Sequence, residues 1–381
     1  MWPAIGLVII VAAVLIVSRQ PLLQPVFRWL PLPLWCYLLP MLAVAAGWLP
    51  AEQPGQPLYR TLTNLLLPFA LGLLLLGVNL PAIMNTGLQA VAAALVGAIA
   101  IVCAAPVGAW LLQRQLPPDA WKGIGALAGT WTGGTMNLLA LRSVLETPEA
   151  IFAPLIVVDA LIAYGWMALL IGISGAQAPI NRWLRAPAAA PHADMERVVR
   201  ALKPPRGAVV LGALLALGLA ASAGGLAGRL PTSQLVNSSS GWTVLLVTTG
   251  ALALSFAPAI RRIGAAAGLL GYPCLYVVLA ATGAQASLRA LWSAPVWLLV
   301  GVWVVLAHGG ALLLAGRLLR IPLGTLATAS QANLGGVVSA PMVGAVYHQS
   351  LVPVGLLLAM VGNAVGTYLG LFSAALCRWL L

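Results

Sequence analysis

Apolar runs of about twenty residues follow one another along almost the whole chain, parted by short polar connections, and that is the length a helix needs to cross a bilayer. Hydrocarbon offers no partner for a free backbone amide, so a spanning segment satisfies its own hydrogen bonds as a helix or closes into a barrel. These runs are long and apolar throughout rather than short and alternating, which selects helices. Composition points the same way. Hydrophobic residues make up 61% of the 381 and charged residues 7%, whereas a water-soluble chain carries about a quarter charged residues. Disorder and a small disulfide-stapled scaffold are excluded by the same excess of apolar residues and by the presence of only four cysteines.

Polar punctuation predicts twelve spans, at 2–18, 32–49, 61–79, 90–112, 120–145, 150–174, 207–227, 242–259, 269–287, 294–315, 322–346 and 351–377. The first run lacks the basic start and small-residue cleavage site of a secretory signal, so it reads as the first helix. Residues 176–206 hold six basic and two acidic side chains around a Pro/Ala-rich stretch. They read as a cytoplasmic linker between 1–175 and 207–381.

The 19 basic and 7 acidic residues would suit nucleic acid if the basic ones formed a stripe interleaved with aromatics. They do not. Arg114, Lys122, Arg182, Arg185, Arg197, Arg200, Lys203, Arg261, Arg262, Arg317, Arg320 and Arg378 fall in predicted connections, at the C-terminus or, for Lys122, in the first residues of a span, where cytoplasmic positive charge belongs. The connections after helices four, six, eight, ten and twelve are the basic ones, which predicts both termini in the cytoplasm. Arg19 and Arg28, after helix one, run against the pattern. Cys36, Cys103, Cys274 and Cys377 are dispersed, with no CxxC pair, and read as small buried hydrophobes.

The two halves resemble each other. Leu65-Leu66-Leu67-Pro68-Phe69-Ala70-Leu71-Gly72, running on to Gly77-Val78-Asn79-Leu80, has its counterpart in the helix from Tyr276 to Leu288. Later in each half comes a helix with a polar, glycine-rich interruption: Gly129-Thr130-Trp131-Thr132-Gly133-Gly134-Thr135-Met136-Asn137 and Ala329-Ser330-Gln331-Ala332-Asn333-Leu334-Gly335-Gly336. A glycine pair unwinds a helix at little cost, and backbone freed at membrane depth must line a polar cavity or meet protein partners. Each break exposes carbonyls on one half-helix and amides on the other. Carbonyls and hydroxyls of Thr130, Thr132 and Ser330 are suited to a coupling cation, and Gly133, Gly134, Asn137, Gln331, Asn333, Gly335 and Gly336 to a polar substrate. Small residues also serve plain helix packing, but paired breaks in corresponding places are the sequence mark of a transporter site.

Asp159 is the one acid deep in a span. Nine residues into its helix, it stands about 14 Å from the membrane edge, where a carboxylate suits reversible binding of H⁺ or Na⁺; pairing with Arg142 or a hydrogen bond to neighbouring backbone is the structural alternative. Asn363 occupies the matching place in the last helix. His308 reads as a packing residue with a proton relay as its alternative, and Asn64, Asn79 and Gln285 as helix glue or cavity lining. Gly172-Ile173-Ser174-Gly175 matches a short GxSG pattern of intramembrane serine proteases, with His308 as a conceivable base, but Ser174 ends its span beside the linker. No enzyme is expected.

The two interrupted segments, followed by Asp159 and by Gly366-Thr367-Tyr368-Leu369-Gly370, together with Trp35-Cys36-Tyr37-Leu38-Leu39-Pro40, resemble the YjcL-like family of uncharacterised bacterial integral membrane proteins over nearly the whole chain. That family is grouped with the broader cation/proton antiporter and anion transporter superfamily. The resemblance implies broken helices crossing near the midplane, inverted repeats, a mobile core domain and a panel domain that often dimerises. Gln331 stands where the family leads one to expect Asn. Inverted repeats need an odd offset between the broken helices, whereas the count here puts them at five and eleven, so either one segment does not span or the repeats are parallel.

The expected protein is therefore an all-α polytopic membrane protein of about twelve helices in two repeats, each with one broken helix, in the bacterial inner membrane. It is expected to move a small polar metabolite (an organic anion, amino acid or short peptide) by alternating access. No P-loop or cofactor motif appears, so H⁺ or Na⁺ would drive it; a channel or membrane-embedded assembly factor is the alternative.

Overall fold

The computed structural model describes residues 2–381 apart from 24–25, 28–29, 53–56, 187–206, 232, 234 and 237. The described residues are helical, with no strand among them. In chain order the helices are α1 (Trp2–Val17), α2 (Leu32–Ala45), α3 (Leu58–Leu75), α4 (Leu88–Leu111), α5 (Ala120–Gly133), α6 (Thr135–Val144), α7 (Glu149–Gly172) and α8 (Gln177–Leu184). They continue as α9 (Ala208–Ala227), α10 (Ser239–Ser255), α11 (Pro258–Gly283), α12 (Ala294–Leu319), α13 (Leu323–Leu334), α14 (Gly336–Tyr347) and α15 (Leu351–Leu380). Short 3-10 turns at Leu80–Thr86 and Leu288–Ser293 lead into α4 and α12.

Among the described residues, seven segments are long and apolar enough to cross a bilayer: Leu58–Leu75, Leu88–Leu111, Glu149–Leu184, Ala208–Ala227, Pro258–Gly283, Leu288–Leu319 and Leu351–Leu380. Trp2–Val17, Leu32–Ala45, Ser239–Ser255 and Gly336–Tyr347 are shorter apolar helices. Along the longer segments Leu65, Leu95, Ile99, Leu214, Leu306 and Leu314 are exposed, a surface that suits lipid rather than water.

Helix starts follow local chemistry. The Ser238 hydroxyl accepts from the Gly241 amide at the head of α10, and α11 opens on Pro258, whose missing N–H costs nothing in a first turn. That proline moves a boundary. Residues 260–268, expected as connection because Arg261 and Arg262 are charged, and 258–259, expected at the end of the preceding span, form the first turns of α11. Arg182 likewise lies in α8, Arg317 in α12 and Arg378 in α15. Charge marks where the chain leaves hydrocarbon, and helical hydrogen bonding carries on beyond that point. Of the expected linker, 187–206 lie outside the described residues, with Asp194, Glu196, Arg197, Arg200 and Lys203; so does Arg28. Cys36 and Cys377 are buried and Cys274 half-buried, but Cys103 is exposed, against expectation.

The chain forms two compact units that interleave along the sequence. Unit 1 comprises Met1–Gly77, Arg142–Ala160 and Pro204–Trp297; unit 2 comprises Val78–Leu141, Leu161–Lys203 and Leu298–Leu381. Each draws on both sequence halves.

In unit 1, α3 and α11 lie so close that a Cβ on Gly264 would stand 2.5 Å from the Gly77 amide nitrogen. Each carries an internal proline, Pro68 and Pro273. Arg142 forms a salt bridge to Glu149 and donates to Thr282 Oγ1 at 2.9 Å; the Tyr37 hydroxyl donates to the other Glu149 oxygen at 2.8 Å. The guanidinium also sits 4.9 Å from the centre of the Phe152 ring. The charged pair thus joins the turn between α6 and α7 to α2 and α11.

Unit 2 is built on a glycine seam. Gly125, Gly129 and Gly133 of α5 meet Gly362, Gly366 and Gly370 of α15. A Cβ on Gly366 would stand 2.8 Å from the Gly129 carbonyl oxygen, and one on Gly370 2.6 Å from that of Gly125. Glycine at every fourth position on both helices brings the backbones together. Elsewhere in the unit, Ala90, Ala93, Leu326, Ala329, Ala332, Ala340, Val354 and Leu358 belong to one buried core cluster.

Candidate functional site

Both interruptions are real breaks, and both lie in unit 2. At the first, α5 ends at Gly133, and Gly134, with φ 83° and ψ 172°, turns the chain into α6. That combination is essentially open to glycine alone. At the second, α13 ends at Leu334, and Gly335 and Gly336 (φ +80°) lead into α14. The breaks meet: a Cβ on Gly336 would lie 3.9 Å from the Gly134 Cα. Two positive helix starts, α6 and α14, and two negative helix ends, α5 and α13, are gathered at one crossing.

Each break is tied across by a side chain three residues past its positive-φ glycine. Asn137 Nδ2 donates to the Gly133 carbonyl at 2.8 Å, while Asn137 Oδ1 accepts from Thr367 Oγ1 of α15 at 2.6 Å. Ser339 Oγ accepts from Gln331 Nε2 at 3.1 Å. A Cβ on Gly335 would fall on that amide and hydroxyl, so glycine there leaves room for the tie.

Ser330 belongs to a second network with a fixed direction. His308 Nδ1 lies 3.0 Å from the Gly97 carbonyl, which only accepts, so Nδ1 carries the proton. Nε2 then accepts from Ser330 Oγ at 2.8 Å, and Ser330 Oγ accepts from Trp166 Nε1 at 2.8 Å. His308 is fully buried. It positions the second break from α12, and its contact is Ser330 rather than Ser174, whose hydroxyl donates to the Ile171 carbonyl.

The remaining expected residues fall as follows. Thr130 and Thr132 are buried in the last turn of α5, with the Thr132 hydroxyl donating to the Ala128 carbonyl at 2.9 Å. Asn333 is buried and donates to the Ala94 carbonyl of α4 at 3.0 Å. Asn363 is half-buried, its Oδ1 3.1 Å from where a Cβ on Gly134 would stand. Gly134, Thr135 and Gly335 are likewise partly accessible amid buried neighbours. Asp159 is half-buried on the part of α7 that belongs to unit 1, just before that helix passes to unit 2 at Leu161. The breaks are thus brought together in one unit, and Asp159 belongs to the other. Arg142, its considered partner, is engaged by Glu149 and Thr282.

Sequence reasoning missed three contributors. Trp166 and Ser339 carry no local signal that tells them from ordinary helix residues. The glycine seam did carry one, the four-residue spacing of 125, 129, 133 and of 362, 366, 370.

A family described as "Protein of unknown function (DUF819)" matches residues 6–380. The Bacillus subtilis (strain 168) protein named "Uncharacterized membrane protein YjcL" is 24% identical over 356 residues, which cover 87% of this chain and 86% of that protein.

Proposed function

The chain belongs to the family of unknown function DUF819, and from that footing we propose that it is a secondary active transporter of the bacterial cytoplasmic membrane. It moves a small polar metabolite, coupled to H⁺ or Na⁺, by alternating access. The observation that carries this reading is the meeting of the Gly134 and Gly336 breaks inside one compact unit. Broken helices persist in a membrane protein where they serve a polar cargo, because unpaired backbone in hydrocarbon is otherwise costly.

The order of elements supports two repeats. Among the described residues, and leaving aside the short 3-10 turns Pro21–Leu23 and Ile173–Ala176, the chain on either side of α8 runs through three helices, a 3-10 turn, one helix, two half-helices and a last helix. In this reading both termini are cytoplasmic, and neither a bound cofactor nor enzymatic chemistry is involved.

The cargo's anionic group is held at the starts of α6 and α14, where amides carry partial positive charge, beside Asn363 and Thr135. Asn137 and Asn333 keep the crossing in shape, since their amides are already bonded within unit 2. Asp159 of unit 1 is the reversible cation-binding carboxylate.

Purified protein in proteoliposomes tests the proposal, with a radiolabelled pool of dicarboxylates, amino acids and dipeptides outside. Accumulation above equilibrium under an imposed pH or Na⁺ gradient is expected. Asp159→Asn should abolish gradient-driven accumulation while sparing substrate exchange. Equilibration without accumulation would mean a channel, and an unchanged Asp159→Asn would remove that residue from coupling.

A further inference from the structure

The Gln331 amide has one valence unmet. The side chain is 1% exposed. Its Nε2 donates to Ser339 Oγ at 3.1 Å and points to the Ala163 carbonyl at 3.4 Å, while Oε1 has no donor. Turning the amide over does not help, because the Ala163 carbonyl only accepts and must face the nitrogen. The great majority of buried polar atoms have a partner, so an orphan of this kind calls for one.

Its place says what the partner is. The amide lies over Gly335, which is partly accessible, and reaches into the first turn of α14 through Ser339. That twelve-residue helix presents its unpaired amides at the same point. A carboxylate is attracted there, and an acceptor with no donor stands beside it. The first break shows the reverse deficit: Trp131, wholly buried three residues before Gly134, has an indole N–H with no acceptor.

We propose that Gln331 Oε1 accepts an N–H of the transported molecule while its carboxylate is held at the start of α14, so that the cargo is an amino acid or a short peptide rather than a plain organic anion. The inference rests on the transporter reading. A dicarboxylate brings no donor and leaves Oε1 unmet; an ammonium or amide N–H completes it. A site built to bond a substrate N–H rejects the analogue without one far more strongly than an apolar pocket senses a lost methylene.

The test uses the full chain in proteoliposomes and matched pairs: L-aspartate against succinate, L-alanine against propionate, glycylglycine against glutarate. In at least one pair the nitrogen-bearing member should accumulate tenfold or more faster, an order-of-magnitude expectation for a bonded against an unbonded donor. Gln331→Leu should bring that pair close to parity, and Gln331→Glu, which keeps size and an acceptor, should retain the preference even if the leucine variant misfolds. Equal transport, or preference for the nitrogen-free member, overturns the inference and leaves the transporter reading standing. Failure of every compound to accumulate counts against the transporter reading itself. Thermal stabilisation of the wild type, but not of Gln331→Leu, by sodium chloride over choline chloride would make Oε1 a cation ligand and also overturn it.

Discussion

The hydroxyl of Ser330 is the joint on which the second break is set. It gives its proton to His308 Nε2 and receives one from Trp166, while His308 is itself directed by Gly97 across 211 residues of sequence. Ser330→Ala leaves the buried His308 ring nitrogen without a partner, at about 1–3 kcal/mol, and releases the indole N–H of the half-buried Trp166. The variant should melt several degrees lower in detergent, and His308→Ala added to it should cost less than the sum of the two alone, because the partners are then removed together. Strict additivity in that cycle would mean the ring and hydroxyl act separately. In sequence His308 is a lone histidine in an apolar run, since nothing local connects it to Gly97 or Ser330. Asn137 has the opposite history. It reads as a substrate ligand from its place beside the glycine pair, and the coordinates add that one amide N–H and one lone pair are engaged by Gly133 and Thr367, ties that no local sequence signal announces.

Helices respond to substitution according to what each glycine faces. Gly134→Ala forces a side chain into a backbone region that L-residues avoid, at about 1–3 kcal/mol. Gly366→Ala puts a methyl 2.6 Å from Asn137 Nδ2 and 2.8 Å from the Gly129 carbonyl, so α5 and α15 must part. Gly224, within α9, faces nothing within 4 Å, and Gly224→Ala should be neutral or gain up to about 1 kcal/mol from helix propensity. Thermal melts of the three variants should therefore fall, fall and hold or rise. A uniform loss would show that the seam has no special role. Helices as such were legible, because a bilayer imposes one length on every apolar run. Both breaks were legible too, from paired glycines among hydroxyls and amides. The end of α10 and start of α11 were misplaced because Arg261 and Arg262 imitate a loop, while Pro258 is the residue that sets the boundary.

Across the whole molecule, the chain weaves between its units instead of filling one and then the other. Segment 142–160 belongs with α1–α3 and α9–α11, and the Arg142–Glu149 pair fastens it there through Tyr37 and Thr282. Removing one charge leaves the other partly buried without its partner. Arg142→Met alone should therefore destabilise more than Arg142→Met with Glu149→Leu, which removes both; a double variant melting below the single would contradict this. Such interleaving escapes a reading of apolar runs, which reports depth in the membrane and nothing about which helices are neighbours. The seam between α5 and α15 has a further, genetic side. A glycine codon changes its amino acid by a single base at either of its first two positions, and every such change adds at least one carbon atom. Where that atom lands on an opposing carbonyl, ordinary mutational drift has no mild first step, and the two helices hold their pairing only as long as purifying selection guards the codons that encode it.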